Sequence, residues 1–230
     1  MTDTARQFRF RKLFESTRVV IFDFDGVLAD SEKFHFRSYR DVFRRYGHEV
    51  DETEYYRTFT SLGTGPRGEI DRYGLNLDPA VIRKEKGDAY SGYCQDGSIK
   101  LFAEAHEILE RLAGTDKVLT IASGSTRPDI EAILKNSGVS IPFAAIIGSD
   151  TVTAIKPAPD IFLAMLDAVD AEPYECLVIE DAEKGVQAAA AAAIPVVVVR
   201  TRETRDFEFP QASVVMDSHV ELLEMVRGVT

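Results

Sequence analysis

Two aspartates, Asp23 and Asp25, stand one residue apart at the end of the apolar run Val19–Phe22. A short β-branched and aromatic run is typical of a buried parallel strand. Because side chains alternate along a strand, both carboxylates point to the same side where the strand ends, at the edge where open α/β sheets bind ligands. Like charges this close repel each other unless a cation or a shared proton relieves them, so the spacing favours chemistry. A solvated turn that bends at Gly26 and caps the next helix is the alternative.

Polar residues also follow three later apolar runs. The sequence Ser123-Gly124-Ser125-Thr126 offers hydroxyl and backbone donors to an anion, although such clusters often only cap helices. Lys156 is followed by two prolines that fix its backbone, although most lysines are solvated. Glu180 and Asp181 form a second acidic pair. Together these groups suit a hard cation, with Mg²⁺ the leading candidate, beside a phosphate that a carboxylate can attack.

The elements that must position these residues alternate between strand and helix. Apolar runs predict strands at 19–22, 118–122, 144–147, 177–179 and 196–199. Helical patterns separate them at 103–112, 128–136, 160–169 and 183–193. This alternation predicts an α/β fold with a doubly wound parallel sheet.

The segment 34–99 lacks a convincing buried strand. Its charged, amphipathic stretches predict surface helices at 34–46, 52–59, 68–73 and 79–90. We therefore expect a core domain formed by 17–33 and 100–230, with a helical cap domain at 34–99 inserted after the first strand. Such an insertion lies above the ligand-binding edge, where it can act as a lid that excludes water. The alternative is that these helices only extend the hydrophobic core.

Bulk properties exclude several classes of partner. The chain has 230 residues, a formal net charge of −11 and a sequence pI of about 4.9. So acidic a surface repels nucleic acid and anionic membranes, and a phosphorylated ligand needs local positive charge in a cleft. Cys94 and Cys176 are far apart, and the polar stretch 1–16 lacks the apolar centre of a secretory signal. We therefore expect a soluble cytoplasmic protein.

Four stretches resemble, in order, the motifs of the haloacid dehalogenase superfamily. They are Asp23-Phe24-Asp25-Gly26-Val27, Ser123-Gly124-Ser125, Lys156-Pro157-Ala158-Pro159-Asp160-Ile161-Phe162 and Val178-Ile179-Glu180-Asp181-Ala182-Glu183-Lys184-Gly185. They look most like the phosphatase and β-phosphoglucomutase branch, which has a Rossmann-like core with a helical cap after the first strand. All four motifs in order, each at a strand end, are far more specific than one pair of aspartates.

The resemblance implies a role for each motif residue. Asp23 is similar to the family's nucleophile, and Asp25 to the acid/base that protonates the leaving oxygen and then activates water. The implied phosphate- and substrate-binding positions in the core are Ser123, Gly124 and Lys156. The implied Mg²⁺ ligands are Asp23, the main-chain carbonyl of Asp25, Asp181 and, as a ligand or a support, Glu180.

Three cations in the cap segment resemble substrate-binding positions of the mutase branch. His35 lies near the start of the first cap helix, Lys86 resembles the cap lysine, and Arg67 matches the cap arginine if one residue is inserted after Gly63-Thr64-Gly65-Pro66. Together they could bind a second anionic group, although each could equally be a solvated surface residue. Two departures also stand out. Arg127 occupies an asparagine-bearing site of the mutase, and Ala193 replaces a helix-ending glycine, so we expect the helix to end differently.

The sequence therefore predicts a Mg²⁺-dependent phosphatase of a small phosphorylated metabolite, a sugar phosphate by preference, that works through an aspartyl-phosphate. A β-phosphoglucomutase-like phosphotransferase is the first alternative, because His35 and Lys86 fit it. A catalytically silent binding module and a haloacid dehalogenase are further alternatives. The intact Asp23 disfavours the silent binding module. The acidic pairs disfavour the dehalogenase, because they suit a metal-assisted phosphoryl transfer. We expect a small-molecule substrate and a monomer or weak homo-oligomer.

Overall fold

The computed structural model describes residues 3–61 and 64–230. The described residues form one six-stranded sheet in which every pair of neighbouring strands is parallel, in the order β3-β2-β1-β4-β5-β6. The strands are β1 (Val19–Phe22), β2 (Val118–Ala122), β3 (Ala145–Ile147), β4 (Cys176–Glu180), β5 (Val196–Val199) and β6 (Val214–Met216). The predicted doubly wound parallel sheet is confirmed, with β6 as an additional short edge strand.

Helices connect the strands and form the inserted segment. They are α1 (Asp3–Ser16), α2 (Glu32–Arg45), α3 (Glu52–Tyr55, continued by a π-helical turn at Tyr56–Ser61), α4 (Gly65–Tyr73), α5 (Pro79–Gln95), α6 (Ala103–Ala113), α7 (Arg127–Asn136), α8 (Asp160–Ala168), α9 (Glu183–Ala191) and α10 (His219–Arg227). Short 3₁₀ turns lie at Ser149–Thr151 and Pro173–Glu175. Within the described ranges, no helix combines the length and apolar character needed to cross a bilayer.

Helices α1 and α10 and the strand β6 were not predicted. Helix α1 has little amphipathic pattern, yet its Phe10 and Phe14 are buried against the sheet with Phe22. This helix therefore packs with core elements, although the predicted core begins at residue 17. Ala193 also differs from expectation, because it adopts the left-handed conformation that a glycine usually supplies, with φ of 58°.

The two faces of the sheet are covered by separate apolar clusters. One face packs Val20, Phe22 and neighbouring residues against α1, α6, α7 and α10. The other packs Val19 and Ile21 against α8 and α9. Because side chains alternate along β1, both faces are buried, as the continuous apolar run predicts.

The inserted helices have an apolar cluster of their own and are also anchored in the core. Phe43, Tyr55 and Ile82 belong to the separate cluster. In contrast, Phe34 on α2 and Tyr90 on α5 pack in the cluster that covers the sheet. Both interpretations of the segment 34–99 therefore have a physical basis, and its division from the core and its action as a lid stay predictions.

Candidate active site

Asp23, Lys156, Glu180 and Asp181, which we call the floor of the site, lie together at the carboxyl edge of the sheet. The ammonium of Lys156 bridges Asp23 Oδ1 at 2.6 Å and Glu180 Oε1 at 2.7 Å, and it also donates to the carbonyl of Ala122 at 3.0 Å. All four side chains are buried, with relative exposures of 7% or less. The strand ends of β1 and β4, which are hydrogen-bonded neighbours, bring the two acidic pairs together as the sequence predicts.

Asp181 is the member of the floor without a hydrogen-bond donor. Among the described residues no group donates to its carboxylate, although only 3% of the residue is exposed. Gly26, at φ of 80°, lies so close that a Cβ there would overlap the Asp181 carboxylate. Burial of a charged group without a partner is costly. The arrangement therefore fits a cation that the carboxylate would bind.

Glu180 is already fully bonded. Its Oε1 accepts from Lys156, and its Oε2 accepts from the backbone N–H groups of Asp181 at 2.9 Å and Ala182 at 3.0 Å. The close approach of Gly185 leaves room for no side chain beyond hydrogen, because a Cβ there would overlap the Glu180 carboxylate. Of the two roles implied for Glu180, this geometry favours the supporting one.

The floor carries three carboxylates and one ammonium. Burial, followed by the charges of Glu180 and Asp25, raises the pKa of Asp23 to about 8 despite the opposing effect of Lys156. Burial and the charges of Glu180 and Asp23 also raise the pKa of Asp181 well above its ordinary value. Burial lowers the pKa of Lys156, but the two carboxylates outweigh it and the net shift is upward. One ammonium does not neutralise this cluster, whereas an added dication would.

Carboxylate oxygens of the floor lie close enough together to bind one metal ion. One carboxylate oxygen each from Asp23, Glu180 and Asp181 lies within 4.8 Å of the other two. Asp23 Oδ2 accepts no hydrogen bond from the described residues, because Lys156 occupies only Oδ1. The free oxygens of the buried Asp23 and Asp181 carboxylates, with Glu180 beside them, are the kind of donor that Mg²⁺ prefers, so the residues present fit that ion.

Asp25 is surrounded by hydrogen-bond donors. Its Oδ1 accepts from the hydroxyls of Ser31 at 2.6 Å and Tyr90 at 2.9 Å, and its Oδ2 accepts from Ser125 at 2.6 Å and Ser123 at 3.1 Å. Burial raises the pKa of Asp25, but the neighbouring His35 and these hydroxyls outweigh it, so the net pKa lies well below its ordinary value. In this arrangement Asp25 is held ionised, which is the form that can accept a proton.

The serine motif is divided between two positions. Ser123 is fully buried, where its Oγ donates to Asp25 and accepts from the backbone N–H of Ser125 at 3.0 Å. Gly124 and Ser125 line the cavity above the floor, whereas Ser123 does not. The phosphate-binding role expected for Ser123 therefore stays a prediction. Ser125, which we did not single out, is the hydroxyl of this motif that faces the cavity.

The cap contributes a second group of side chains, His35, Tyr39, Arg83 and Lys86, which we call the roof. His35 Nε2 lies 3.2 Å from Asp25 Oδ1, and its Nδ1 lies 2.6 Å from the ammonium of Lys86. The His35 ring stacks on Tyr90 at a centroid distance of 3.9 Å. Burial is the main cause that lowers the pKa of Lys86 to about 8. Two of the three predicted cap residues therefore contact each other above Asp25.

Arg67 is not in the roof, which corrects the expectation from the sequence. It is exposed and does not line the cavity, because α4 begins at Gly65 and carries Arg67 on its outer side while Pro66 is buried. Arg83 on α5 lines the cavity instead. The sequence held no signal for Arg83, because the resemblance matches only Lys86 on that helix.

Floor and roof enclose a cavity of about 220 Å³. The cavity is small compared with the range of roughly 300–1,000 Å³ typical of drug-sized ligands, so it suits a small metabolite. Its further lining includes residues that the sequence reasoning did not select, namely Glu32, Tyr55, Phe59, Gly65, Ser125, Ile155, Ala182 and Lys184.

Comparison with known proteins agrees with this geometry. The sequence matches the haloacid dehalogenase-like hydrolase family over residues 20–199. It is 30% identical over 193 residues to the fructose-1-phosphate phosphatase YqaB of Escherichia coli, covering 82% of this chain and 99% of that protein. It is 30% identical over 185 residues to the phosphorylated carbohydrates phosphatase of Thermotoga maritima, covering 76% of this chain and 81% of that protein.

A solved structure shares the fold. The crystal structure of CbbY from Rhodobacter sphaeroides in complex with phosphate has a TM-score of 0.77 and 27% identity, covering 92% of this chain and 99% of that chain. The family match spans most of the sequence and includes all four motifs whose side chains meet at the sheet edge. The chain belongs to the haloacid dehalogenase-like hydrolases.

Proposed function

We propose that this protein is a Mg²⁺-dependent phosphatase that hydrolyses a small phosphorylated metabolite, preferably a sugar phosphate, through an aspartyl-phosphate at Asp23. The observation that carries the proposal is the floor. One oxygen of Asp23 is held by Lys156 while the other is free, beside the unpartnered carboxylate of Asp181. Two relatives act on phosphorylated carbohydrates according to their names, which supports the choice of substrate class.

The metal would be held by Asp23 and Asp181, with the main-chain carbonyl of Asp25 as the third protein ligand implied by the family resemblance. When bound, Mg²⁺ would neutralise charge on the transferring phosphoryl group and on the floor. Lys156 would hold a phosphate oxygen and, together with the bound cation, would favour the ionised form of Asp23. The backbone N–H of Gly124, and the Ser125 hydroxyl once it is released from Asp25, would donate to the remaining phosphate oxygens.

The reaction would proceed in two displacements. In the first, the free oxygen of Asp23 attacks phosphorus, the ester P–O bond breaks, and a protonated Asp25 gives its proton to the departing alcohol oxygen. In the second, water attacks the same phosphorus, its proton passes to the Asp25 carboxylate, and the bond to Asp23 breaks to release phosphate. The donors now around Asp25 favour the ionised form that the second displacement needs.

Replacement of the nucleophile tests the proposal. We expect Asp23→Asn to lower kcat for phosphate release at least about a thousandfold, because the amide cannot form the covalent intermediate. Phosphate release from a panel of sugar phosphates should also need added Mg²⁺ and disappear with excess chelator. Asp116→Asn, which alters an exposed side chain, is the matched control. Equal residual activity in Asp23→Asn and the parent would favour a catalytically silent module.

The reaction product distinguishes the phosphotransferase alternative from the proposed phosphatase. It predicts isomerisation of β-glucose 1-phosphate without release of inorganic phosphate, whereas the phosphatase predicts phosphate release. Arg127, which stands at the asparagine-bearing site of the mutase, pairs with Glu131 at 2.8 Å and does not line the cavity, so it gives no support to phosphoglucose specificity. The small-molecule partner, the monomeric or weakly associated state and the cytoplasmic location remain predictions from the sequence.

A further inference from the structure

His219, the first residue of α10, contacts the turn at 24–29 that follows the nucleophile, although it does not line the cavity. Its Nε2 lies 3.0 Å from the carbonyl oxygen of Gly26 and 3.1 Å from that of Val27. Because carbonyl oxygens only accept hydrogen bonds, Nε2 carries the proton and donates to both. Burial is the main cause that lowers the pKa of His219, which favours the neutral ring. His219 also lies outside residues 20–199, over which the chain matches the family.

The two carbonyls depend on this histidine. Gly26 and Val27 are buried, and within the described ranges no other group donates to either carbonyl oxygen. A buried carbonyl without a donor is costly. The rest of the turn is held by its own backbone, because the N–H groups of the next two residues both donate to the Phe24 carbonyl, at 2.9 and 2.8 Å. His219 therefore supplies the hydrogen bonds that the turn does not make for itself.

Gly26 is the residue of this turn whose backbone most needs the restraint. It directly follows Asp25 and has φ of 80°, and a Cβ at this position would overlap the Asp181 carboxylate. The close approach to the floor therefore requires glycine, yet glycine also adopts other backbone conformations more readily than any other residue. Without the donor at His219, the peptide between Gly26 and Val27 is free to rotate, and Asp25 moves with it.

The same imidazole contacts the residue at which the chain returns from the inserted helices. The ring of Phe102 packs on His219 at a centroid distance of 4.0 Å, and the Phe102 N–H donates to the Leu28 carbonyl at 2.9 Å. Helix α10 is itself anchored to α6, because Arg227 pairs with Glu107 at 2.6 Å. His219 therefore holds the turn from a fixed position in the core.

We propose that His219 is a positioning residue for proton transfer: its Nε2–H holds the turn at Gly26 and Val27 so that Asp25 reaches the leaving oxygen in the first displacement. This inference rests on the proposed function, because it takes Asp25 as the acid/base. His219 touches neither the substrate nor the reacting atoms and acts only through the backbone. Misplacement of a catalytic group by about 1 Å can lower the rate on the order of a hundredfold. Loss of His219 should therefore impair protonation of the leaving group specifically.

Hydrolysis of phenyl phosphate and p-nitrophenyl phosphate measures this loss. The two esters have similar shapes, but phenolate is the poorer leaving group and needs the proton more, whereas p-nitrophenolate departs readily as the anion. For both esters kcat/KM reports the steps up to the first displacement. The ratio of the two kcat/KM values does not depend on the fraction of the protein that is folded. Asp25→Asn, which removes the acid itself, should lower the value for phenyl phosphate more than that for p-nitrophenyl phosphate.

Variants of His219 separate the donor from the ring. His219→Phe keeps a ring against Phe102 without the donor, and His219→Gln keeps a donor without the ring. We expect His219→Phe to lower kcat/KM about 10- to 100-fold for phenyl phosphate and at most about threefold for p-nitrophenyl phosphate. His219→Gln should stay within about threefold of the parent for both esters, because its amide still donates. If His219→Phe does not fold, His219→Asn, whose amide is too short to reach both carbonyls, provides the same test.

His106→Phe is the matched control, because His106 lies on the neighbouring α6 and forms no hydrogen bond with the described residues. It should leave both values unchanged. An unchanged ratio in His219→Phe, or the same change in His219→Gln, would overturn the inference while leaving the proposed function intact. Failure of the proposed function is seen separately. In that case Asp25→Asn would leave the ratio unchanged, or Asp23→Asn would hydrolyse p-nitrophenyl phosphate as fast as the parent.

Discussion

The floor of the cavity consists of side chains that follow parallel strands, whereas the roof consists of side chains on cap helices. Floor residues are buried, and Lys156 binds two carboxylates within 2.7 Å. Roof residues are more exposed, and Arg83 has no carboxylate partner among the described residues. Under the proposed function, the buried floor would bind the phosphoryl group and the more exposed roof would contact the rest of the substrate.

The largest expected effect concerns the ammonium of the floor. Lys156→Met leaves the buried carboxylates of Asp23 and Glu180 without their shared partner, so we expect a loss of about 3–5 kcal/mol in the free energy of unfolding. Urea unfolding should show this loss without metal, and added Mg²⁺ should recover part of it by supplying the missing positive charge. Lys84→Met, at an exposed side chain of the cap, is the control and should be close to neutral. Equal losses in the two variants would contradict the comparison.

Two glycines, Gly185 beside the floor and Gly87 in the cap, allow the packing of the two regions to be compared. Gly185→Ala in the floor would force the new methyl group into Glu180, and we expect a cost of about 1–3 kcal/mol together with reduced activity. Gly87 in the cap helix α5 has open space around its Cα, so Gly87→Ala should stabilise the protein by about 0.5–1 kcal/mol. Thermal unfolding of both variants checks the two signs. If Gly185→Ala is as stable as Gly87→Ala, the close packing of Gly185 against Glu180 is contradicted.

The roof lysine should show stability and activity changing in opposite directions. Burial lowers the pKa of Lys86 to about 8 from its ordinary 10.5, so the folded state carries the cost of a buried charge at neutral pH. We expect Lys86→Met to raise the melting temperature at pH 7, with a gain that shrinks between about pH 8 and pH 10.5, where only the unfolded parent binds the proton. Activity should fall about ten- to a hundredfold, because His35 loses its contact above Asp25. A lower melting temperature at pH 7 would contradict this account.

Floor residues could be predicted from the sequence because strand ends are visible in it. Apolar runs located β1 and β4, and the parallel sheet then required Asp23 and Asp181 to meet. Roof residues could not be predicted in the same way. Whether Arg67 or Arg83 faces the cavity depends on where α4 begins and how it is rotated against α5, and short-range sequence pattern contains neither. Helix α1 was missed because two buried phenylalanines leave little periodicity in an otherwise polar segment.

The sequence also could not predict which side chains of the serine motif face the cavity. Ser123 and Ser125 flank one glycine, and the sequence cannot show that Ser123 is buried behind Asp25 while Ser125 faces the cavity. The sequence predicts that Tyr90 lies on a helix, but it does not predict that its hydroxyl donates to Asp25 at 2.9 Å. These contacts depend on the packing of the cap against the core, which joins residues far apart in the chain.

The central claim is that Asp23 carries the phosphoryl group during turnover. Rapid acid quench of the protein with Mg²⁺ and a hydrolysed sugar phosphate, followed by mass spectrometry of the peptides, measures this directly. We predict one phosphoryl group on Asp23 of the parent protein and none at that position in Asp23→Asn. A parent that turns over substrate with its phosphoryl group on another residue, or with none on the protein at any quench time, would contradict the account.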